Sequence, residues 1–310
     1  MTAYLTRLVC LSFACFFLVN FAASVALAMV VSRAVAKART LRPDSAARFV
    51  LMLRLAPGLV AAFAVVAMCI PSYLWLEPAG ADEDFGVACS VAAALGLAVI
   101  LRSVWRARRA FVRSRGFAEG AATEISIVDA PGSFMATTGL FRPRILVSRG
   151  AAEALSTEQF DAAVCHERAH WTSRDNLKRL LQLAAPEPIP LVRGAARRLD
   201  REWARFAEFA ADDRAAAGDM ERGVSLAEAL VQLARAGTPP EIPLATSLIA
   251  DSRDLEARVE RLLAGIPAQD PARRSWKTAG IIAASVLGCA MVANPVSLAR
   301  VHELLERFFQ

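Results

Sequence analysis

Two textures alternate along the chain. Residues 8–31, 59–76, 87–101 and 279–292 are apolar runs nearly free of charge, each approaching the ~20 residues with which a helix crosses a bilayer. Between the third and fourth runs, over residues 116–270, polar and apolar positions mix as in a globular domain. Residues 124–129 (EISIVD) and 144–148 (RILVS) are rich in β-branched side chains, and Gly132, Gly139 and Pro143 punctuate the stretch between them. That pattern predicts a short sheet with hairpin turns. Ser156 with Gln159 makes a capping box and starts a helix whose apolar stripe is Phe160, Ala163, Val164 and Ala169. Pro186, Pro188 and Pro190 then interrupt the chain, and further helices are predicted at 192–217, 225–236 and 251–264.

The expected fold class follows: an α-helical membrane protein with four transmembrane helices, and a small, mainly helical α+β domain inserted between helices 3 and 4. Its parts are three helices within 1–104 (8–31, 57–76 and 86–104, with a basic loop over 32–49), a polar domain over 105–277, and a fourth helix with a short outer tail over 278–310. A cleavable signal peptide is the alternative for the first run, but the run is too long for one and is followed by a basic, stop-transfer flank.

Composition supports the membrane reading: 55% of the 310 residues are apolar, above the share usual in soluble domains. Charge adds direction. Arg33, Lys37, Arg39, Arg42 and Arg48 follow the first run, whereas residues 77–85 carry only acids; Arg102 to Arg115 follow the third run and Arg273, Arg274 and Lys277 precede the fourth. Basic connections stay in the cytoplasm, so the polar domain is expected on the inner face of the cytoplasmic membrane. The net charge of +6 is then a matter of topology and membrane lipid, with no direct nucleic-acid binding. Five of the six cysteines lie in or beside apolar runs, and Cys165 alone lies in the polar domain, so neither a disulfide framework nor a CxxC clip is available.

The chemistry is concentrated in Cys165-His166-Glu167-Arg168-Ala169-His170. HExxH on a helix puts two imidazoles on one face, where both can reach one Zn2+, with Glu167 as the base toward water. A chance match on a solvated helix is the plain alternative, but the chain has only three histidines and two are in the motif. The remaining one, His302, falls beyond the fourth run, so a third ligand must be a carboxylate. Glu208 and Asp212, four apart on a predicted helix, are assigned to the metal and to orienting a histidine ligand; Asp175 either supports a ligand from behind or is simply a surface acid. Arg54, near the start of the second run, is read as snorkelling.

Residues 133–177 (SFMATTGLFRPRILVSRGAAEALSTEQFDAAVCHERAHWTSRDNL) and 201–216 (REWARFAEFAADDRAA) together resemble the metallopeptidase domain of the BlaR/MecR-type membrane signal transducers and, more distantly, the HtpX-type membrane peptidases. The resemblance implies a gluzincin site, with His166, His170 and Glu208 as zinc ligands and Glu167 as catalytic base. It also implies that a strand edge binds substrate, here Phe134, Met135, Ala136, Thr137 and Thr138. With Tyr4 and Tyr73 both in the membrane region, a transition-state helper is sought elsewhere, and Arg258, in a stretch resembling a late family motif, is the candidate. The pattern departs from that family in that no extracellular penicillin-binding sensor is expected after the fourth run, so a stimulus is expected through the spans or a separate sensor protein. The implied function is a zinc metalloendopeptidase cleaving protein substrates, a winged-helix repressor foremost. Membrane-protein quality control of the HtpX kind is one alternative and a non-catalytic, zinc-stabilised signalling scaffold another. A transporter or channel is disfavoured, since the runs hold almost no ionisable residues.

Overall fold

The computed structural model describes residues 2–76, 86–119, 123–188, 192–236, 246–247, 254–265 and 303. The predicted fourth span, its outer tail apart from residue 303, the acidic connection 77–85 and His302 lie outside the described residues. Among the described residues, three helical stretches are long and apolar enough to cross a membrane: Tyr4–Ala38, Pro43–Leu76 and Val87–Arg115. They leave large apolar side chains such as Leu59, Val66, Leu95 and Leu101 exposed, a surface that suits lipid rather than water.

Each helix overruns its apolar run. Helix α1 is Thr2–Ala38, α2 is Pro43–Ala64, and after a wide π-helical turn at Val65–Cys69 the second stretch ends as α3, Ile70–Leu76. In that turn the Ile70 N–H reaches the carbonyl of Val65, just ahead of Pro71, which has no N–H with which to continue the ladder. Pro43 at the first turn of α2 starts that helix with its φ already set. The predicted basic loop 32–49 is therefore mostly helix, with only residues 39–42 as a turn. Helix α4, Val87–Glu119, runs straight through the boundary expected at 104/105. Polar side chains do not end these helices, because the backbone bonds continue wherever the chain has no breaker.

The sheet has the order β1-β3-β2-β4, with β1 Ile125–Val128, β2 Met135–Thr138, β3 Arg144–Ser148 and the two-residue β4 Thr246–Ser247. Strands β2 and β3 form the expected hairpin, Met135 opposite Val147, but β1 pairs parallel with β3. The prediction of hairpin turns throughout is corrected accordingly. A second correction concerns Phe134 to Thr138. Strand β2 is not a free edge, since Ala136 and Thr137 pair with Ser247 and Thr246 of β4.

Helix α5, Arg149–Ala154, is short; α6, Thr157–Ser173, carries HExxH and opens with the full capping box of Ser156 and Gln159. It ends where Arg174 turns left-handed (φ 55°), and α7, Asp175–Ala184, a helix not anticipated, begins at once. Helix α8 spans Arg193–Ala216, close to its predicted 192–217. Helix α9, Met220–Arg235, is capped by Asp219, and α10 is Leu255–Leu263.

The two larger of four hydrophobic clusters among the described residues organise the fold. One joins Met135, Ile145 and Val147 of the sheet to Ala163 and Val164 of α6, to Leu226, Leu230 and Leu233 of α9 and to Leu262 of α10. The other joins Val35 of α1 and Ala46, Val50 and Leu51 of α2 to Leu199, Trp203, Phe206 and Ala207 of α8. Helix α8 is therefore shared: one face completes the polar domain and the other packs on the hairpin of α1 and α2.

Candidate metal centre

Helix α6 places His166 and His170 one turn apart, their rings edge to face at 4.8 Å between centroids. Helix α8 crosses beside them and brings Glu208. The two Nε2 atoms lie 3.1 Å apart, Glu208 Oε2 lies 3.4 Å from His166 Nε2, and Glu208 Oε1 lies 3.6 Å from His170 Nε2. All three side chains are buried, and together they form a group able to hold a metal ion.

Behind each imidazole stands a carboxylate. His166 Nδ1 is 2.9 Å from Asp212 Oδ1, and His170 Nδ1 is 2.8 Å from Asp175 Oδ2. A proton on each Nδ1 satisfies its carboxylate and leaves Nε2 as a lone pair. Lone pairs then face each other across 3.1 Å, with both oxygens of the Glu208 carboxylate beside them. That arrangement calls for a cation, a proton or a metal.

Arg258 of α10 supplies part of the balance. Its Nε and Nη2 each donate to Asp212 at 2.8 Å, and Nη1 lies 3.1 Å from Glu208 Oε2. It is buried with its guanidinium turned to these two carboxylates. That geometry favours a holding role over the transition-state helper expected from sequence. Burial pushes the Glu208 carboxyl up, but His170 and Arg258 outweigh it and hold the group well below its usual range. Asp212 is likewise lowered, by Arg258 and His166 against burial.

Glu167 is buried, and burial pushes its carboxyl up despite the neighbouring histidines. Its Oε2 accepts from the Thr137 hydroxyl at 2.7 Å, while Oε1 has no hydrogen-bond partner among the described residues. Met135 and Thr137 face α6 from β2, whereas Phe134 and Ala136 pack with Leu146 on the other side of the sheet, as strand alternation demands. The five strand residues therefore do not share one surface.

Sequence reasoning missed the interface between this centre and the hairpin of α1 and α2. Arg54 does not snorkel: buried, it donates to Asp200 at 2.9 Å, to Glu187 at 2.8 Å and to the Gln182 carbonyl at 3.0 Å, and Arg106 of α4 meets Glu187 at 2.8 Å. Arg214 of α8 bonds the Ala169 carbonyl and Ser173 of α6 together with Asp44 of α2. The signal was present as Arg54 near the start of an apolar run, but its partners lie more than a hundred residues away. Comparison of the chain with family models and with curated proteins returns no match.

Proposed function

We propose that the chain is a membrane-bound zinc metalloendopeptidase with its centre on the cytoplasmic face of the cell's inner membrane. The observation that carries this reading is the convergence of both HExxH imidazoles with Glu208, each imidazole backed by a carboxylate and with Glu167 alongside. The donor set suits zinc: tetrahedral ligands at about 2.0–2.1 Å stand about 3.3 Å from one another, and the separations here are 3.1, 3.4 and 3.6 Å. A purely structural site has no use for a buried carboxylate in the position of Glu167.

His166, His170 and Glu208 would hold the ion, which when bound supplies a Lewis acid that acidifies water and polarises a peptide carbonyl. Asp212 and Asp175 keep each ring in the tautomer that offers Nε2. Glu167, raised by burial, is a stronger base than an exposed carboxylate. The unpartnered Oε1 takes the proton from water and delivers it to the leaving nitrogen. Arg258 holds Glu208 and Asp212 in place.

The substrate class is protein, and the motif resemblance favours a winged-helix repressor over damaged membrane proteins. Metal analysis of the purified full chain should give one zinc, lost in His170→Ala and Glu208→Ala but kept in Glu167→Gln. Hydrolysis of dye-labelled casein should fall about a hundredfold or more in Glu167→Gln, and unchanged hydrolysis would sink the peptidase reading. Comparing protein abundance in wild-type and Glu167→Gln cells then identifies the substrate: accumulating misfolded membrane proteins beside an intact repressor would replace regulation with quality control.

A further inference from the structure

We propose that Thr137 is the positioning residue for Glu167, a hydroxyl on strand β2 that pins one carboxylate oxygen so that the other faces the reacting centre. This rests on the peptidase reading for its catalytic meaning, but the contact itself does not.

The Thr137 hydroxyl has one proton and two acceptors within reach, Glu167 Oε2 at 2.7 Å and the Glu167 backbone carbonyl at 3.1 Å. The carboxylate is both nearer and charged, so it takes the stronger bond. The carboxylate is fully buried, and its Oε1 has no hydrogen-bond partner among the described residues. A buried carboxylate on a flexible side chain samples several rotamers unless one oxygen is held, and a base must be held to act in one direction.

Thr137 is itself fixed from three sides. Its residue pairs with Ile145 of β3 and with Thr246 of β4. Asn176, the second residue of α7, donates to the carbonyls of Thr137 at 3.1 Å and Gly139 at 3.0 Å. Asn176 follows Asp175, whose carboxylate holds His170. The start of α7 thus sets the position of a metal-site histidine through one residue and of the base through the next.

The test compares Thr137→Val, which keeps the shape and removes the hydroxyl, with Thr137→Ser, which keeps the hydroxyl. Both are made in the full chain, in nanodiscs, beside Glu167→Gln. With dye-labelled casein as probe, Thr137→Val should lower kcat about tenfold to hundredfold, the size expected of one hydrogen bond to a charged group. KM should stay within about twofold and bound zinc at one per chain, while Thr137→Ser restores kcat to within about threefold. Equal losses in the two variants, or lost zinc in Thr137→Val, would make the residue merely structural and overturn the proposal, as would unchanged kcat in Thr137→Val.

A second readout needs no turnover. The infrared difference between wild type and Glu167→Gln isolates the Glu167 carboxylate band, which Thr137→Val should shift and Thr137→Ser should not. An unmoved band refutes the contact whatever the enzyme does. Casein hydrolysis that is absent, or that is unaffected by Glu167→Gln, refutes the peptidase reading instead, and the infrared band then decides on Thr137 alone.

Discussion

A histidine binds a metal only through a nitrogen that carries no proton, so the carboxylates behind His166 and His170 decide which nitrogen is offered. Burial works against the His170 imidazolium, but Glu208 and Asp175 outweigh it and push its pKa up to about 10. Below that value an incoming metal must displace a proton. Apparent zinc affinity should therefore rise about tenfold per pH unit between roughly pH 6 and 8, measured by chelator competition; an affinity flat over that window would show that no such proton is displaced. The acid side has its own sign. Burial raises Asp212 and Asp175, yet Arg258 and His166 for the one, and His170 and Lys178 for the other, leave both below their usual range. Their contribution to stability is present above the ordinary carboxylate range and is lost as pH falls from that range through their lowered folded values. At this scale the sequence was informative wherever spacing along one helix does the work: His166 with His170, and Glu208 with Asp212, are each a single turn apart. Thr137, Arg258 and Arg54 meet their partners across elements, and no local spacing records such a contact.

Elements were legible as segments but less so as partners. The residues of β1 and β3 were visible from their β-branched runs. Their parallel pairing was not, because it depends on the chain crossing through β2 before it returns. The membrane helices show the same limit. Gly96 of α4 lies against the backbone carbonyl of Phe13 in α1, so close that any Cβ there would overlap it. Ala14, Cys89, Ala92 and Ala93 complete this small-residue seam, which brings two membrane helices near enough for dense packing without a hydrophobic drive between them. Gly96→Val has to push α1 away and should cost about 1–3 kcal/mol, seen as a lower unfolding temperature in detergent. Gly194, which has open space around it, makes a suitable control as Gly194→Ala. A Gly96→Val protein that melts with the wild type would mean that α1 and α4 are not packed this closely.

The largest scale is where the predicted division of the chain gives way. Charge alternation predicts an orientation: reporters fused after residues 40, 80, 200 and 310 should read inside, outside, inside, outside, and an outside signal at 200 would move the proposed metal centre across the membrane. The boundary near 105 fares differently, since α4 continues through it and α8 buries Leu199, Trp203 and Phe206 against α1 and α2. Uncovering three such side chains forfeits about 1.5–3 kcal/mol each, a large share of the 5–15 kcal/mol that typically holds a domain. Removing α2 also takes Arg54 away from Asp200 and Glu187, leaving Glu187 to Arg106 alone, and a half-buried carboxylate that loses a partner loses stability. A fragment of residues 105–277 expressed alone should therefore aggregate or bind no stoichiometric metal, whereas the full chain in nanodiscs stays monodisperse and takes up one zinc. The check is size-exclusion chromatography with metal analysis on both. A soluble, monomeric fragment that unfolds cooperatively and holds one metal would show that the metal centre is independent of the membrane hairpin, and that the core shared through α8 contributes little to its stability.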